Sequence, residues 1–319
     1  MSTSASPPKL ITSNDLVVCR TCGAQYDVPE RVGKTECRIC EDPRQFIPPS
    51  GHSFTTLGEL ITSQKYENVF EQCEWNDTVI EIHTEPKFGI GQGARLIRTP
   101  HGNVLWDLVA YLDQGTVDKI TELGGLKFII ISHPHFYTTW ADWSATFKCP
   151  VYMTEVDSVW ANRTNPPPEG ATLKLLTKPT AELLPGLTSI ICGGHFPGSQ
   201  CLHSAPPNTP IPTLFVADTI FAVQSGQNPD PGKRSDTISY QFLWSIPNFI
   251  PLPPDEVLKI WKALKPFDFK ATYGVMAKIS NVFERPGQSL SLKSRVLQSA
   301  KIAVKAMGYN DHAVFAEEL

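Results

Sequence analysis

An apolar run near the middle of the 319-residue chain ends in a pair of histidines. The run, residues 126–131, is rich in β-branched side chains and predicts a buried strand. Ser132-His133-Pro134-His135 follows it directly. Because side chains at i and i+2 of an extended backbone point the same way, we expect both imidazoles to converge at the sheet edge, as half of a metal site. The alternative is a surface loop, but with only 8 histidines in the chain a chance pair is rare.

Two CxxC pairs lie near the start of the chain. Cys19 and Cys22, followed by Gly23, form the first pair, and Cys37 and Cys40 form the second. Each spacing lets both thiolates bind one ion from a tight turn, and glycine supplies the backbone freedom that such a turn needs. Four sulfurs complete a tetrahedral zinc site, so we expect a structural zinc ribbon. A rubredoxin-like iron site is the alternative.

Composition excludes several classes of partner. A hydrophobic content of 41% and a charged content of 19% are typical of a soluble protein with a sizeable core. The formal net charge of −4 predicts no nucleic-acid partner, and no apolar run is long enough for a membrane span. The Ser- and Pro-rich residues 1–8 lack the features of a signal peptide. We therefore expect a cytoplasmic location, with the nucleus as the alternative, where thiols stay reduced and bind metals.

Changes in composition and pattern predict the domain organisation. Thr56 and Glu59 form a capping box that begins a short helix. Further along, strands alternate with amphipathic helices, and hairpins begin each half, which predicts an α/β (α+β) domain of two sheets between helices. The expected segments are a disordered N-terminus (1–14), the CxxC ribbon (15–50), a linker with the short helix (51–72) and the main domain (73–319).

Two further predicted strands end in candidate metal ligands. His195 follows the strand predicted over residues 187–192, and Asp218 follows the one predicted over residues 214–217. Since a sheet brings successive strand ends to one rim, these side chains are expected to join His133 and His135 around zinc or iron. The alternatives are a helix-capping turn histidine at 195 and a helix N-cap carboxylate at 218.

These motifs resemble those of the metallo-β-lactamase-fold hydrolases over roughly residues 73–307. The resemblance implies an αββα sandwich with metals at the sheet edge. It matches His133, His135 and His195 to the family's first metal position, and Asp218 to the carboxylate that bridges two metals. The motifs that carry it are Gly91-Gln92-Gly93, Val104-Leu105-Trp106-Asp107, Ser132-His133-x-His135, Gly194-His195-Phe196-Pro197-Gly198-Ser199 and Ala217-Asp218-Thr219.

The motif is degenerate at the second metal position. Where the family continues His-x-His-x-Asp-His, this chain has Tyr137 and Thr138, and Tyr273 stands in place of the family's final histidine. The resemblance therefore implies one zinc at the His/Asp site besides the zinc of the ribbon, with iron as the alternative metal. Asp142 is either a substitute for the missing proton acceptor or a solvated helix residue. His203 is either a hydrogen-bond partner of Asp218 or a packed histidine.

The expected function is that of a mononuclear metal-dependent hydrolase acting on a small molecule. Zinc-bound water would attack an ester, thioester, lactone or phosphoester. Tyr137 or Tyr273 would donate a hydrogen bond to the developing oxyanion, and Asp142 is the candidate base. Two alternatives stay open. One is a mononuclear iron oxidoreductase served by an electron-transferring ribbon, and the other is a catalytically degenerate metal-binding protein whose ribbon binds a protein partner.

The degenerate motif predicts the metal content of the protein. Because Tyr137 and Thr138 replace ligands of the second metal, we expect about two metal ions per chain, one in the ribbon and one at the His/Asp site. Elemental analysis of protein purified without added metal should give about two ions, and about one for Cys37→Ser. Three ions per chain would contradict the mononuclear site, and an unchanged content in Cys37→Ser would contradict the ribbon.

Overall fold

A computed structural model describes residues 8–29, 33–207, 211–228, 237–275 and 280–319. The chain divides into two compact units. The first holds the described residues up to Leu176, except for the short segments 43–45 and 154–157. The second holds those two segments and the described residues from Thr177 to the end.

The first unit begins with a small cysteine module. In it β1 (Val17–Cys19) pairs antiparallel with β2 (Phe54–Thr56), and α1 (Arg38–Glu41) contains the last cysteine of the second CxxC pair. The helix α2 (Leu57–Thr62) follows β2 directly. It begins as predicted, because the Glu59 backbone N–H donates to Thr56 Oγ1 at 3.1 Å.

The rest of the first unit is built on a seven-stranded sheet. The strands at one edge are antiparallel, whereas β6, β7 and β8 run parallel, and α3 (Gln114–Glu122) and α4 (Trp140–Phe147) provide the crossovers that parallel strands require. The strands, in spatial order, are β3 (Glu67–Gln72), β4 (Val79–Glu85), β5 (Gly93–Ile97), β6 (Val104–Trp106), β7 (Phe128–Ile130), β8 (Pro150–Thr154) and β9 (Thr172–Leu176).

Two predicted boundaries differ from the structure. The strand β3 pairs with β4 although it falls in the predicted linker, so the main domain begins before residue 73. Residues 8–14 were expected to be disordered, but the Ile11 N–H donates to Thr146 Oγ1 at 3.0 Å and that hydroxyl donates back to the Ile11 carbonyl at 2.8 Å. Residues 1–7 of the predicted disordered segment lie outside the described residues.

The second unit is built on a mixed six-stranded sheet. The chain first forms β10 (Thr180–Leu184), β11 (Leu187–Ile191), β12 (Gln200–Ser204) and β13 (Thr213–Ala217). Two short hairpin-like pairs follow, β14 (Phe221–Ala222) with β15 (Tyr240–Gln241), and β16 (Leu243–Ser245) with β17 (Ile250–Pro251). The helix α5 (Pro254–Leu264), the strands β18 (Ala271–Gly274) and β19 (Val282–Phe283), and the helix α6 (Leu292–Ala306) complete it. The spatial order is β10-β11-β12-β13-β18-β19, with β13 and β18 parallel.

Helix periodicity explains the core of the second unit. The buried residues Val257, Ile260, Trp261 and Leu264 of α5 recur at i, i+3, i+4 and i+7, which places them on one face. They belong to one apolar cluster with buried residues of the sheet, such as Leu214, and of α6. Burial of that face fixes the helix against the strands that precede the His195 and Asp218 positions.

Each unit therefore contains a mixed sheet accompanied by helices, preceded in the first unit by the cysteine module. This confirms the predicted α/β class with the αββα element content of the metallo-β-lactamase fold. Among the described residues, no helix combines the length and the apolar character that a membrane crossing needs.

Asp142 joins separate parts of the first unit. Its carboxylate pairs with Arg163 at 2.8 Å, and it accepts hydrogen bonds from the Ser13 hydroxyl at 3.0 Å and the Gln25 amide at 3.0 Å. The side chains of Asp142 and Arg163 are 3% and 6% exposed. The alternative of a solvated helix residue is therefore wrong, because α4 turns this position inward to bind the N-terminal segment.

The buried ion pair predicts a large effect on stability. Arg163→Met would leave a buried carboxylate without its cation, so we expect the free energy of unfolding to fall by about 3–5 kcal/mol in urea titrations. Lys119→Met is the control, because it breaks the exposed Lys119–Glu122 pair and should cost less than about 1 kcal/mol. Similar losses in both variants would contradict a structural role for the Asp142 pair.

Candidate metal centres

The four cysteines of the module form one buried group. The Sγ atoms of Cys19 and Cys40 are 3.7 Å apart, those of Cys22 and Cys37 are 3.5 Å apart, and all four lie within 4.8 Å of one another. These distances exceed the ~2.05 Å of a disulfide. They are close to the ~3.8 Å edge of a tetrahedron whose corners lie ~2.3 Å from a central zinc. The donor set fits a four-coordinate metal with no open position.

Tyr26 supports this group from within the module. Its hydroxyl donates to Cys37 Sγ at 3.1 Å, and burial raises the pKa of Tyr26, which keeps the proton on the donor. Hydrogen bonds from the Cys19 and Cys22 thiols, with a smaller contribution from Tyr26, lower the pKa of Cys37. A lowered thiol pKa favours the thiolate that a metal binds. Sequence reasoning missed Tyr26, and its place between the two CxxC pairs was the only signal.

The histidine pair lies on a turn rather than on extended backbone. The strand β7 ends at Ile130, and Pro134–Phe136 forms a short 3₁₀ helix after the extended residue His133. The rings of His133 and His135 are buried, with centroids 5.0 Å apart. The predicted convergence is observed, but the expected i, i+2 alternation is not its cause. Proline at the first helical position favours the turn instead.

Asp107 and Ser132 orient the first histidine. The Ser132 N–H donates to Asp107 Oδ1 at 2.7 Å, and Ser132 Oγ lies 2.9 Å from His133 Nδ1. With the proton on Nδ1 and donated to this hydroxyl, His133 Nε2 presents its lone pair as a metal ligand. Burial raises the pKa of Asp107 to about 7. Sequence analysis gave Asp107 no role, although a carboxylate that follows the strand next to β7 was an available signal.

The second unit places the other two predicted ligands together. His195 is buried, and its Nε2 lies 3.6 Å from Asp218 Oδ2. The preceding Gly194 has φ +85°, and a Cβ there would lie 2.7 Å from the Ile260 side chain. The left-handed backbone and its close packing against α5 therefore require glycine at this position. Asp218 follows Ala217, which has φ +44°. Among the described residues near them, neither His195 nor Asp218 begins a helix, so the alternative capping roles are not observed.

The predicted ligands form one group. One ligand atom from each of His133, His135, His195 and Asp218 lies within 4.8 Å of the other three, and all four side chains are buried. Four ligands at the usual Zn–N and Zn–O distances would be about 3.4 Å apart in a tetrahedron, which this spacing allows. Three imidazoles and a carboxylate suit zinc, and they also suit iron. The residues therefore fit the metal that the resemblance implies, and metal binding itself stays a prediction.

Three other predicted residues have defined places in the fold. Tyr137 is buried at the C-terminal end of the 3₁₀ helix that carries His135. Tyr273 is buried in β18, and its ring stacks on Phe215 with centroids 5.0 Å apart. His203 Nε2 donates to the Asp268 carbonyl at 2.7 Å and does not belong to the His/Asp group, so it is the packed histidine of the two alternatives.

Comparison with known proteins places this metallo-β-lactamase-fold chain in a family. It is 36% identical over 266 residues to the uncharacterized protein YmaE of Bacillus subtilis (strain 168), and the match covers 82% of this chain and 89% of YmaE. The chain belongs to the same family as YmaE. No family model matches the chain.

Several solved structures are similar in fold. VMB-1 has a TM-score of 0.49 at 16% identity, covering 76% of this chain and 98% of its own. The metallo-β-lactamase FIM-1 from Pseudomonas aeruginosa, solved in a mono-zinc form, has a TM-score of 0.48 at 13% identity, covering 75% and 96%. The family assignment itself rests on the match to YmaE.

The contact of Ser132 with His133 predicts an effect on metal affinity. Ser132→Ala removes the hydroxyl beside Nδ1 but keeps the backbone bond to Asp107, so we expect about tenfold weaker binding at the His/Asp group. A competition titration with a chromophoric chelator would measure this. Ser144→Ala is the matched control, because Ser144 is also buried and donates to the Cys149 carbonyl at 2.8 Å. Equal affinities in the two variants would contradict the orienting role.

Proposed function

We propose that this protein is a mononuclear metal-dependent hydrolase whose metal is held by His133, His135, His195 and Asp218. The observation that carries the proposal is the buried grouping of these four side chains within 4.8 Å in a chain with the metallo-β-lactamase fold. A zinc ion held there would lower the pKa of a water molecule towards ~7 and polarise a carbonyl or phosphoryl oxygen.

The ligands are oriented by hydrogen bonds from outside the group. Ser132 fixes the ring of His133 through Nδ1, and Gln92 donates to the backbone carbonyl of His135 at 3.1 Å. In the second unit, Arg44 donates to the His195 carbonyl at 3.3 Å, and its guanidinium lies 3.8 Å from the centre of the Phe196 ring. The Ser132 contact limits rotation of one imidazole, and the other two fix the backbone that positions His135 and His195, as a catalytic metal site requires.

Two tyrosines are the proposed donors to the oxyanion that develops on the substrate. Tyr137 lies two residues after His135 and is fixed by backbone hydrogen bonds at the end of the 3₁₀ helix. Tyr273 is held by its stack on Phe215, which is paired with it across β13 and β18. A phenol donates without carrying charge, and in a buried position its hydrogen bond to a developing anion is stronger than in water.

Asp142 has a different role in this proposal. Its two oxygens already accept hydrogen bonds from Arg163, Ser13 and Gln25. Both carboxylate oxygens are thus engaged by residues of the first unit, which favours a structural role over proton transfer to or from a substrate. We therefore propose that Asp142 stabilises the first unit and that Tyr137 and Tyr273 supply the polar groups of the reaction.

The substrate classes follow from the chemistry that one metal and neutral donors support. Esters, thioesters and lactones develop one oxyanion when attacked, and phosphoesters carry charge that the metal would partly neutralise. Thr138 follows Tyr137 where the family's motif supplies second-metal ligands, so the proposal needs no second ion. A small molecule of one of these classes is the proposed substrate.

A substrate panel with a ligand variant tests this function. We expect hydrolysis in at least one of the four classes. His135→Ala should reduce it by more than the ~10–100-fold that loss of a residue supporting a metal ligand costs, while the cysteine site keeps its metal. His203→Ala is the matched control, because His203 lies outside the His/Asp group. No hydrolysis by fully metal-loaded protein would contradict the proposal, and iron-dependent oxygen consumption would favour the oxidoreductase alternative.

A further inference from the structure

A single side chain joins the cysteine module to the histidine turn. Gln92, 4% exposed, lies just before β5 in the first unit. Its Nε2 donates to the Cys22 carbonyl at 2.6 Å and to the His135 carbonyl at 3.1 Å. Both protons of one amide are therefore used, one on the first CxxC turn and one on the turn that carries the histidine pair.

Close packing surrounds this bridge. Gly23 has φ +75°, and a Cβ there would lie 2.5 Å from the Ala110 side chain, so the CxxC turn contacts the loop after β6 directly. Next to it, the Gln25 N–H donates to the Thr138 carbonyl at 3.2 Å. The chain from Cys22 to Gln25 is thus linked to the segment after β7 on both sides of Tyr137, through Gln92 at His135 and directly at Thr138.

The segment that follows the second CxxC pair makes a contact of the same kind. Arg44, four residues after Cys40 in the sequence, donates to the His195 carbonyl. The Asn248 amide donates to the carbonyls of Pro43 and Gln45, which fixes the backbone on both sides of Arg44. Within the second unit, Arg44 therefore holds the backbone carbonyl of a predicted metal-binding histidine, as Gln92 does within the first.

We propose that Gln92 is a positioning residue that couples metal occupancy of the cysteine module to metal affinity at the His/Asp group. The geometry of a CxxC turn depends on its metal, because binding and folding are coupled in small metal modules. Loss of that metal would release the Cys22 carbonyl from Gln92 and loosen the bond to His135. Since coupling between binding sites is reciprocal, a metal at either site would raise affinity at the other.

The coupling rests on the proposed function only in taking the His/Asp group as a metal site. The test uses Co²⁺ as the probe, because thiolate ligands give strong charge-transfer bands that a His/Asp site lacks, so one spectrum distinguishes the two sites. We expect the His/Asp group of the wild-type protein to bind Co²⁺ about tenfold more tightly when the cysteine site is loaded than in Cys37→Ser. Gln92→Glu, which removes both donated protons, should reduce affinity in the loaded protein to the Cys37→Ser level, and the double variant should show no further loss.

Asn103→Asp is the matched control for the amide change. The Asn103 amide is also buried and donates to two backbone carbonyls, those of Leu123 and Gly125, at 2.8 and 3.1 Å. It should leave both cobalt affinities unchanged. Additive losses in the double variant, or equal effects of Gln92→Glu and Asn103→Asp, would overturn the proposal.

A second pair of variants tests the coupling independently, in case Gln92→Glu does not fold. Gly23→Ala places a methyl group against Ala110, whereas Gly33→Ala, at φ +90°, imposes a similar backbone strain with no atom of the described residues within 4 Å. Only Gly23→Ala should weaken Co²⁺ binding at the His/Asp group. Equal binding in the two alanine variants would count against the coupling.

Amide hydrogen exchange separates this proposal from the proposed function. Stripping metal from the cysteine site of the wild-type protein should speed exchange over residues 133–139, and Gln92→Glu should already show the faster exchange. If the His/Asp group binds no cobalt, the proposed function and the affinity coupling both fail. If it binds cobalt but exchange is unchanged on stripping, only the coupling is overturned.

Discussion

The requirement that a buried turn satisfy its backbone polar groups governs the centre of the first unit. The chain between β7 and α4 leaves regular structure while still buried, so its N–H and carbonyl groups need partners from elsewhere. Asp107 accepts from the Ser132 N–H, Gln92 donates to the His135 carbonyl, and the Thr138 carbonyl accepts from the Gln25 N–H. The histidines are thus oriented by whatever holds the turn, and two of these partners are in or next to the cysteine module.

Much of the fold could be predicted because its signals are local. The apolar runs at β7 and β13 are properties of short segments, and the structure has these strands where they were expected. The strand β3 was missed because its sequence, Glu67–Gln72, is half-exposed and polar, without the apolar alternation that marks a strand. It forms because β4 offers a free edge for pairing, which is a tertiary effect.

The four predicted metal ligands come together, but the backbone conformation that brings them together differs from the predicted one. Residue type and strand-end position indicated His133, His135, His195 and Asp218, and these do come together. The backbone that brings them together could not be predicted, since it uses a 3₁₀ turn and a positive φ at Ala217, where a residue with a Cβ rarely adopts one. Non-glycine residues in such conformations concentrate at functional sites, which agrees with the position of Ala217 beside Asp218.

The cysteine module is too small to be stable through its own core. Its two strands, β1 and β2, are three residues each, and a segment of this size buries too little apolar surface to fold alone. Two things compensate: four converging thiols that a metal would hold together, and contact with the rest of the first unit, where Val18 packs in one cluster with Leu57 and Phe88. Because the module depends on that contact, any displacement of its turns acts on the residues it touches. The nearest of these residues belong to the histidine turn. Two hydrogen bonds, both donated by Gln92, therefore connect the Cys22 carbonyl, beside the proposed structural metal, to the His135 carbonyl, beside the proposed catalytic metal.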